Sequence, residues 1–450
     1  MSDDEGTTAP ERRSALAKAV GALPPGTQLV IGGTVLLGAA SYIHLMAAGY
    51  SLDKPQMASV SLLWTILMSV GLGLFFPIEQ ELTRIVAARV VGGQGAGPVV
   101  RRILVITAGV LVVLVVGMAV AARPLAETFF DGRRSMVVAL AASFAAMAAG
   151  NVSRGVLAGL NRFGAYGAQL AVDGALRIAL AVGCAVAGVR SPLAFALILT
   201  VAPLVAVLAT VKPLRSGVKA GPVIGWGKLG SGLAPLVAST LLSQVVVNAA
   251  VVSTQLLAPD DAALVAGLLN AVVLARVPLF VFGSLQASLL AGLASAAAAG
   301  DRAGFSKLLV RTCGVVTVLG VAGGIPATIL GPWLIQVLFK ADDVLGSLDF
   351  LLMSAGTLCY MLAMVLGQAL LVLHRHRLQL LGWALGTVAL VVTTLVPGAV
   401  ATRVCLAYTM GSLAACACMV AAVWLTFLRR PPHVRPRADE FTTPSMVDSL

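Results

Sequence analysis

Long apolar segments recur along the whole chain, and they restrict the fold more than any other feature of the sequence. Hydrophobic residues make up 59% of the chain and charged residues 11%, and the mean hydropathy is +0.97. A run of about 20 apolar residues is long enough to cross a bilayer as an α-helix. The sequence therefore predicts an all-α integral membrane protein with twelve transmembrane helices, near residues 29–48, 58–78, 103–121, 136–157, 166–187, 193–211, 233–257, 263–290, 308–330, 348–373, 378–396 and 404–428.

The second half of the chain repeats features of the first half. Arg154 and Arg162 are eight residues apart around the end of the fourth predicted span, and Gln368 and His376 have the same spacing around the end of the tenth. Internal repeats of this kind predict two pseudo-symmetric six-helix bundles. The expected order is a cytoplasmic tail, a first bundle, a basic cytoplasmic linker, a second bundle and a cytoplasmic tail, at residues 1–28, 29–211, 212–232, 233–428 and 429–450.

Lysine and arginine are concentrated in every second predicted loop and in the two tails. Cytoplasmic loops of membrane proteins carry such an excess, so both termini are predicted to be cytoplasmic. The net charge of +12 follows from the same bias and calls for no nucleic-acid partner. These basic residues are expected to lie near anionic headgroups, which makes membrane lipids the partner of this surface.

One predicted span carries ionisable residues into the apolar region. Arg162, Tyr166, Gln169, Asp173 and Arg177 are spaced by three or four residues, so they share one helical face. A charge that faces lipid costs at least ~2.5 to 3.5 kcal/mol, so this face should line a bundle interior or a watery cavity. A transport pathway is one interpretation. In the other, Asp173 and Arg177 pair along the helix and hold it against its neighbours.

Polar residues in other spans extend this list of cavity candidates. His44 on the first helix is interpreted either as a neutral core imidazole or as a proton-sensitive cavity residue. Gln244 and Asn248 on the seventh helix either line a cavity or hold helices together. Arg276 on the eighth helix should face Asp173, a substrate anion or water, because an unpaired arginine at that depth is costly.

A cluster of charges follows the second predicted span. Pro77 is expected to kink or end that helix, and Glu79, Glu81 and Arg84 follow it at the cytoplasmic interface. Their predicted role is an ion-pair cluster that fixes the second helix to the inner gate; direct contact with substrate is the alternative. Arg154 and Arg162 are assigned to the same structural group at the inner gate.

The sequence offers little to an enzyme. It has no Ser/His/Asp arrangement and no phosphate-binding Gly-rich loop with a lysine, so no catalytic residue and no cofactor are predicted. No metal site is predicted either, because the six cysteines lack paired metal-ligand spacing. A membrane glycosyltransferase or polymerase is the alternative from a different class, and it would require acidic or metal-binding residues on a sizeable outer loop.

Four segments in order resemble a known family: PIEQELTRIVA after the second span, SRGVLAGLNRF before the fifth, ARVPL in the eighth and GDRAGFSK before the ninth. With them, the chain resembles the multidrug/oligosaccharidyl-lipid/polysaccharide exporter superfamily, in its polysaccharide-flippase branch. The resemblance covers nearly the whole chain from the first helix to the twelfth.

The resemblance implies two six-helix bundles around a central cavity and alternating access in a bacterial plasma membrane. The implied substrate is a polyprenyl-diphosphate-linked oligosaccharide, carried from the inner to the outer leaflet for cell-surface polysaccharide assembly, with the enzymes of that assembly as partners. Arg177 and Arg276 would then meet the diphosphate, and Gln169, Gln244 and Asn248 the sugar hydroxyls.

Two other branches of the superfamily fit less well. The cation-coupled multidrug exporters commonly have acidic residues in their cavity helices, whereas the interiors of helices 1 and 7 here contain no Asp or Glu. The lipid II flippases resemble fourteen-helix proteins with arginines on the first two helices. Here those spans contain no arginine and the prediction is twelve helices.

Overall fold

A computed structural model describes residues 26–257, 268, 271, 277–339 and 345–429. Within them the chain is helical and contains no strand. The elements are α1 (Thr27–Ser51), α2 (Lys54–Ile66), α3 (Leu72–Val91), α4 (Gly97–Val120), α5 (Ala122–Phe129), α6 (Arg134–Gly159), α7 (Phe163–Val186), α8 (Pro192–Ala209), α9 (Val211–Gly217), α10 (Trp226–Leu257), α11 (Val277–Ala298), α12 (Arg302–Phe339), α13 (Ser347–Val372), α14 (His376–Thr394) and α15 (Val400–Arg429), and a π-helical turn, Leu67–Gly71, joins α2 to α3.

Ten helices in the described ranges are long and apolar enough to cross a bilayer. A shorter apolar helix at Gly232–Asn248 coincides with the predicted seventh span. Another, at Ser288–Ala298, is the end of α11, which begins within the predicted eighth span and continues beyond it. The all-α fold class with twelve spans is therefore confirmed, and the chain is a multi-pass membrane protein. Large exposed side chains on the outer faces, such as Val113 and Val120 of α4, are the surface expected to contact lipid.

The structure corrects three predicted boundaries. The second span does not end near Pro77, because α3 continues through this proline to Val91. Similarly, α12 continues through Pro332 to Phe339, where an outer loop was expected. The predicted linker, 212–232, contains the short helix α9 and the first turns of α10. Each predicted boundary lay at a proline or a polar residue, and in the structure a helix includes that residue.

The buried apolar residues form several clusters, and the two largest are drawn mainly from opposite halves of the chain. Phe75, Phe144 and Phe195 belong to the cluster of the first half, and Tyr360 and Trp383, with ring centroids 5.2 Å apart, to that of the second. Each half therefore has its own hydrophobic core.

Helices α1 and α7 pack at very short distance because glycines line their contact. A Cβ atom at Gly33 would overlap the carbonyl oxygen of Gly167, and a Cβ at Gly167 would overlap the backbone of Leu29. A Cβ at Gly174 would lie 3.0 Å from the amide nitrogen of Leu37. Small residues allow helix backbones to approach in this way inside a membrane. The ionisable face of α7 is thereby fixed relative to α1.

The same turn occurs at equivalent places in the two halves. Asn161 after α6 has φ of 55°, and His374 after α13 has φ of 58°. In each turn the next residue, Arg162 or Arg375, donates its backbone N–H to a carbonyl five residues earlier, at 2.8 Å. This geometry aligns Asn161 with His374 and therefore Arg162 with Arg375. The predicted alignment, which paired Arg162 with His376, shifts by one residue.

The two halves also meet at the end of the molecule where α3 ends and α7 begins. Ala291 of α11 lies in one buried cluster with Val30 of α1 and Leu157 of α6. The chain between the halves is held at the same end. Arg89 of α3 donates from Nη1 to the carbonyl oxygens of Gly95 at 2.9 Å and Pro222 at 2.7 Å.

Candidate functional site

The ionisable face of α7 points into the first bundle. Tyr166, Gln169, Asp173 and Arg177 are all buried, as expected for polar side chains that avoid lipid. Arg162 occupies the N-cap position of α7, is half-buried, and donates to the carbonyl oxygen of Pro213. The helical period thus correctly predicted which side of α7 is buried. The substrate role of these residues stays a prediction.

A buried ion pair joins α3 to α6 and α7. Arg154 donates from Nε to Oε2 of Glu79 at 3.0 Å, and Tyr166 donates from its hydroxyl to Oε1 at 2.8 Å. The side chains of Arg154 and Glu79 are 16% and 6% exposed. The expectation of one local ion-pair cluster is therefore corrected: Glu79 pairs with an arginine from another helix, while Arg84 pairs with Glu81.

Gln169 is at the centre of a second polar network, one turn along α7. Its Oε1 accepts from the hydroxyls of Ser153 at 2.5 Å and Thr210 at 3.3 Å, and its Nε2 donates to the carbonyl oxygen of Gly150 at 3.4 Å. Ser153 and Thr210 were not predicted as site residues, although Ser153 is the first residue of the segment SRGVLAGLNRF and lies next to Arg154. All of these Gln169 contacts join helices of the first bundle.

The deepest ionisable group of α7 is the pair Asp173 and Arg177. Arg177 donates from Nη2 to Oδ1 of Asp173 at 2.9 Å, and each side chain is 7% exposed. The Nε of Arg177 is buried and has no hydrogen-bond partner in the described part of the chain. Such a donor beside a buried ion pair can donate a hydrogen bond to an anion or a hydroxyl oxygen without first breaking the pair.

His44 of α1 is fully buried near this pair. Its ring packs edge-on against Phe195, with centroids 6.0 Å apart, and neither ring nitrogen has a hydrogen-bond partner among the described residues. The structure thus places the His44 ring in an apolar part of the first bundle, and the choice between its two interpretations stays a prediction.

The helix of the second bundle that corresponds to α7 is α14, which is described in full and lacks this row of charges. When the repeated turns are aligned, the buried face of α14 contains Gln379, Gly382, Gly386 and Leu390 in place of Tyr166, Gln169, Asp173 and Arg177. A Cβ at Gly386 would lie 2.7 Å from the carbonyl oxygen of Gly411 in α15, so α14 makes a close apolar contact there. The charged chemistry is thus concentrated in the first bundle, at least over the described residues.

The remaining predicted cavity residues lie elsewhere. Gln244 and Asn248 are half-buried on α10, where Nδ2 of Asn248 donates to the carbonyl oxygen of Gln244 at 2.8 Å. Arg276 lies outside the described residues. The structure therefore does not bring the amides of α10 into the buried network of α7.

Glu81 and Arg84 form an ion pair that faces the second half of the chain. Arg84 donates from Nη2 to Oε1 of Glu81 at 2.6 Å and from Nε to Oε2 at 2.9 Å. It also donates from Nη1 to Nε2 of His374 at 3.2 Å, across the two bundles. Among the described residues, no group of three or more His, Cys, Asp and Glu side chains could hold a metal ion.

No protein-family model matches the chain. The uncharacterized protein Rv1510 of Mycobacterium tuberculosis is 27% identical over 437 residues, which cover 93% of this chain and 95% of that protein. The uncharacterized protein Mb3654 of Mycobacterium bovis is 25% identical over 291 residues, covering 64% of this chain and 66% of that protein. Both of these relatives come from bacteria.

The solved structures are informative about the fold. The Vibrio cholerae MATE transporter VcmN in its bent form has a TM-score of 0.73 at 14% identity, over 95% of this chain and 99% of that chain. The fold is that of the MATE transporters. The eukaryotic MATE transporter AtDTX14 gives a TM-score of 0.72 at 13% identity, over 90% of this chain and 96% of that one. A MOP superfamily transporter from Pyrococcus furiosus, whose binding pocket has reverse polarity, gives 0.73 at 13% identity, over 90% of this chain and 98% of that one.

Proposed function

We propose that this protein is an alternating-access exporter of amphiphilic small molecules in a bacterial plasma membrane, and not an enzyme. The observation that carries the proposal is the row of ionisable side chains buried inside the first bundle of a MATE-type fold. Buried charges are costly in a membrane protein and typically mark substrate or ion pathways. A scaffold with the same helices would be more stable with an apolar core.

Cation-coupled multidrug export is the first candidate activity. It is supported by the fold, since the similar solved structures include a transporter described as a multidrug resistance member of the MATE family. In this chain the carboxylate available for coupling is Asp173, which a cation or proton would have to share with Arg177. Binding of a cation at Asp173 would weaken the ion pair, and this change in charge is the physical basis for coupling.

Flipping of a polyprenyl-diphosphate-linked oligosaccharide is the second candidate. It is favoured by the fact that the buried carboxylates of the first bundle described above each already have an arginine partner; they are Glu79, Glu81 and Asp173. The Nε of Arg177, which has no partner among the residues that the structure describes, adds a buried donor that suits a phosphate or hydroxyl oxygen. The apolar helix faces would accommodate the lipid tail.

Transport in proteoliposomes tests both candidates. The substrates are a fluorescent organic cation, with an imposed proton or sodium gradient, and a labelled polyprenyl-diphosphate oligosaccharide without one. The key variant carries Asp173→Asn with Arg177→Gln, which removes both charges but keeps polar side chains. Arg123→Gln is the matched control, because Arg123 pairs with Glu127 at the surface.

Cation export that depends on the gradient and is lost in the double variant would support the first candidate. Flipping of the sugar lipid without cation export would support the second. The wild-type protein would contradict the proposal as a whole if it moved neither substrate while correctly folded.

A further inference from the structure

The end of α3 is tied to the second half of the chain by a small polar group that the transport proposal does not use. This seam cluster consists of Glu81 and Arg84 of α3, Gly232 of α10, and His374 and His376 at the turn before α14. A Cβ at Gly232 would lie 3.1 Å from Oε1 of Glu81 and 3.6 Å from Nε2 of His376, so three segments meet here.

The hydrogen bond between Arg84 and His374 fixes the protonation state of the histidine. A guanidinium has five N–H donors and no acceptor, so Arg84 must donate and Nε2 of His374 must accept. A histidine can accept at Nε2 only when it is neutral, with its proton on Nδ1. The 3.2 Å contact therefore exists only for neutral His374.

We propose that His374 is a proton-binding site, and that its protonation releases the contact between the two bundles at this end. The inference rests on the proposed alternating-access transport, for which separation of the bundles at this end is one of the required movements. A proton on Nε2 removes the acceptor and places an imidazolium against the guanidinium of Arg84. The proton comes from bulk water, because His374 is exposed.

The charges around His374 determine the sign of the response. Arg84 faces it from α3, and Arg375 and Arg377 follow it closely in the sequence, so cations oppose its protonation in the closed arrangement, the one in which Arg84 contacts His374. Glu81 is the neighbouring anion and attracts a proton on His374, but both of its oxygens accept from Arg84, and it is Arg84 that contacts the ring directly. In the open arrangement Arg84 and His374 are no longer in contact, and the repulsion from Arg84 is lost. Protons therefore favour the open arrangement.

His376 is a second titratable group at the seam, and its ring centroid is 6.3 Å from that of His374. Glu81 attracts a proton on this ring, but partial burial and the guanidinium of Arg84 oppose one. Protonation of His376 therefore does not counteract the response of His374. A variant at each histidine separates the two effects.

Histidine is the side chain that most readily changes charge near neutral pH, so the response is sought between about pH 5.5 and 7.5. The contact is favoured at the upper end of this range and weakened at the lower end. One proton taken up on opening changes the open-to-closed ratio by up to about tenfold per unit of pH.

The experiment measures a distance across the seam without any substrate. Spin labels replace Val91 at the end of α3 and Ala303 at the start of α12, both exposed, in a protein whose six cysteines are replaced by alanine. Double electron–electron resonance in lipid nanodiscs is recorded from pH 5.5 to 7.5. We expect the longer-distance population to grow as the pH falls.

His374→Gln is the test variant, because the glutamine carbonyl accepts from Arg84 at every pH and does not titrate. It should abolish the response to pH, whereas the control His376→Gln should retain it. A response that persists in His374→Gln, a wild-type seam that closes at low pH, or no response at all would overturn the inference. Because no substrate is present, these results are independent of whether the transport proposal is correct.

Discussion

Removal of Arg154 gives a sharp test of how the first bundle is held together. Arg154→Met would leave the carboxylate of Glu79, 6% exposed, with the hydroxyl of Tyr166 as its remaining partner among those described above. Breaking a buried ion pair by removing one partner typically costs about 3–5 kcal/mol, because an uncompensated charge stays in the core. We expect a loss of this size in the free energy of unfolding, measured in mixed micelles by titration with a denaturing detergent.

The double variant Arg154→Met with Glu79→Gln should recover at least about 2 kcal/mol of that loss, since it removes both charges and leaves an amide oxygen for Tyr166. Arg123→Met is the control. Arg123 and Glu127 form a pair of the same chemistry with side chains 76% and 59% exposed, so its loss should cost less than about 1 kcal/mol. The reasoning would be refuted if the double variant were as unstable as Arg154→Met, or if the control lost as much.

Two further substitutions test the packing of the bundle and the docking of the segment between the halves. Gly167→Ala should destabilise the protein by about 1–3 kcal/mol, because the new methyl group would overlap the backbone of Leu29. The control Gly32→Ala should be neutral or slightly stabilising, because no atom lies within 4 Å of the added Cβ. Equal melting temperatures of the two variants would contradict this prediction. Arg89→Met removes the hydrogen bond to the carbonyl of Pro222 in the segment between the halves. Limited proteolysis should then cut the chain near Pro222 faster than in the wild type. An unchanged cleavage rate would show that Arg89 does not hold this segment.

Local periodicity predicted the parts of the site that lie on one helix. The spacing of Tyr166, Gln169, Asp173 and Arg177 was enough to place all four on the buried face of α7, because the helical period alone sets which side chains share a face. The four-residue spacing of Asp173 and Arg177 likewise allowed their ion pair to be anticipated. Apolar run length gave the fold class and the number of spans in the same way.

Contacts between distant segments were not accessible from the sequence. Glu79 has Arg84 five residues away, yet it pairs with Arg154, 75 residues away, because α3 and α6 pack side by side. The contact of Arg84 with His374 spans 290 residues and depends on how the two bundles meet. The sequence of this helix alone also could not show that α3 continues through Pro77. The polar residues after this proline stay within the helix because their partners lie on other helices.

The π-helical turn at Leu67–Gly71 has a consequence for comparing this protein with its relatives. A π turn accommodates one residue more than the α-helix it replaces, so the helices on either side keep the orientation they would have without it. Deletion of one residue within 67–71 would therefore restore a regular α-helix and leave Glu79 facing Arg154. The same deletion between residues 72 and 78 would turn Glu79 by about 100°. Homologous chains that differ in length by one residue in this helix should be aligned with the gap at the π turn.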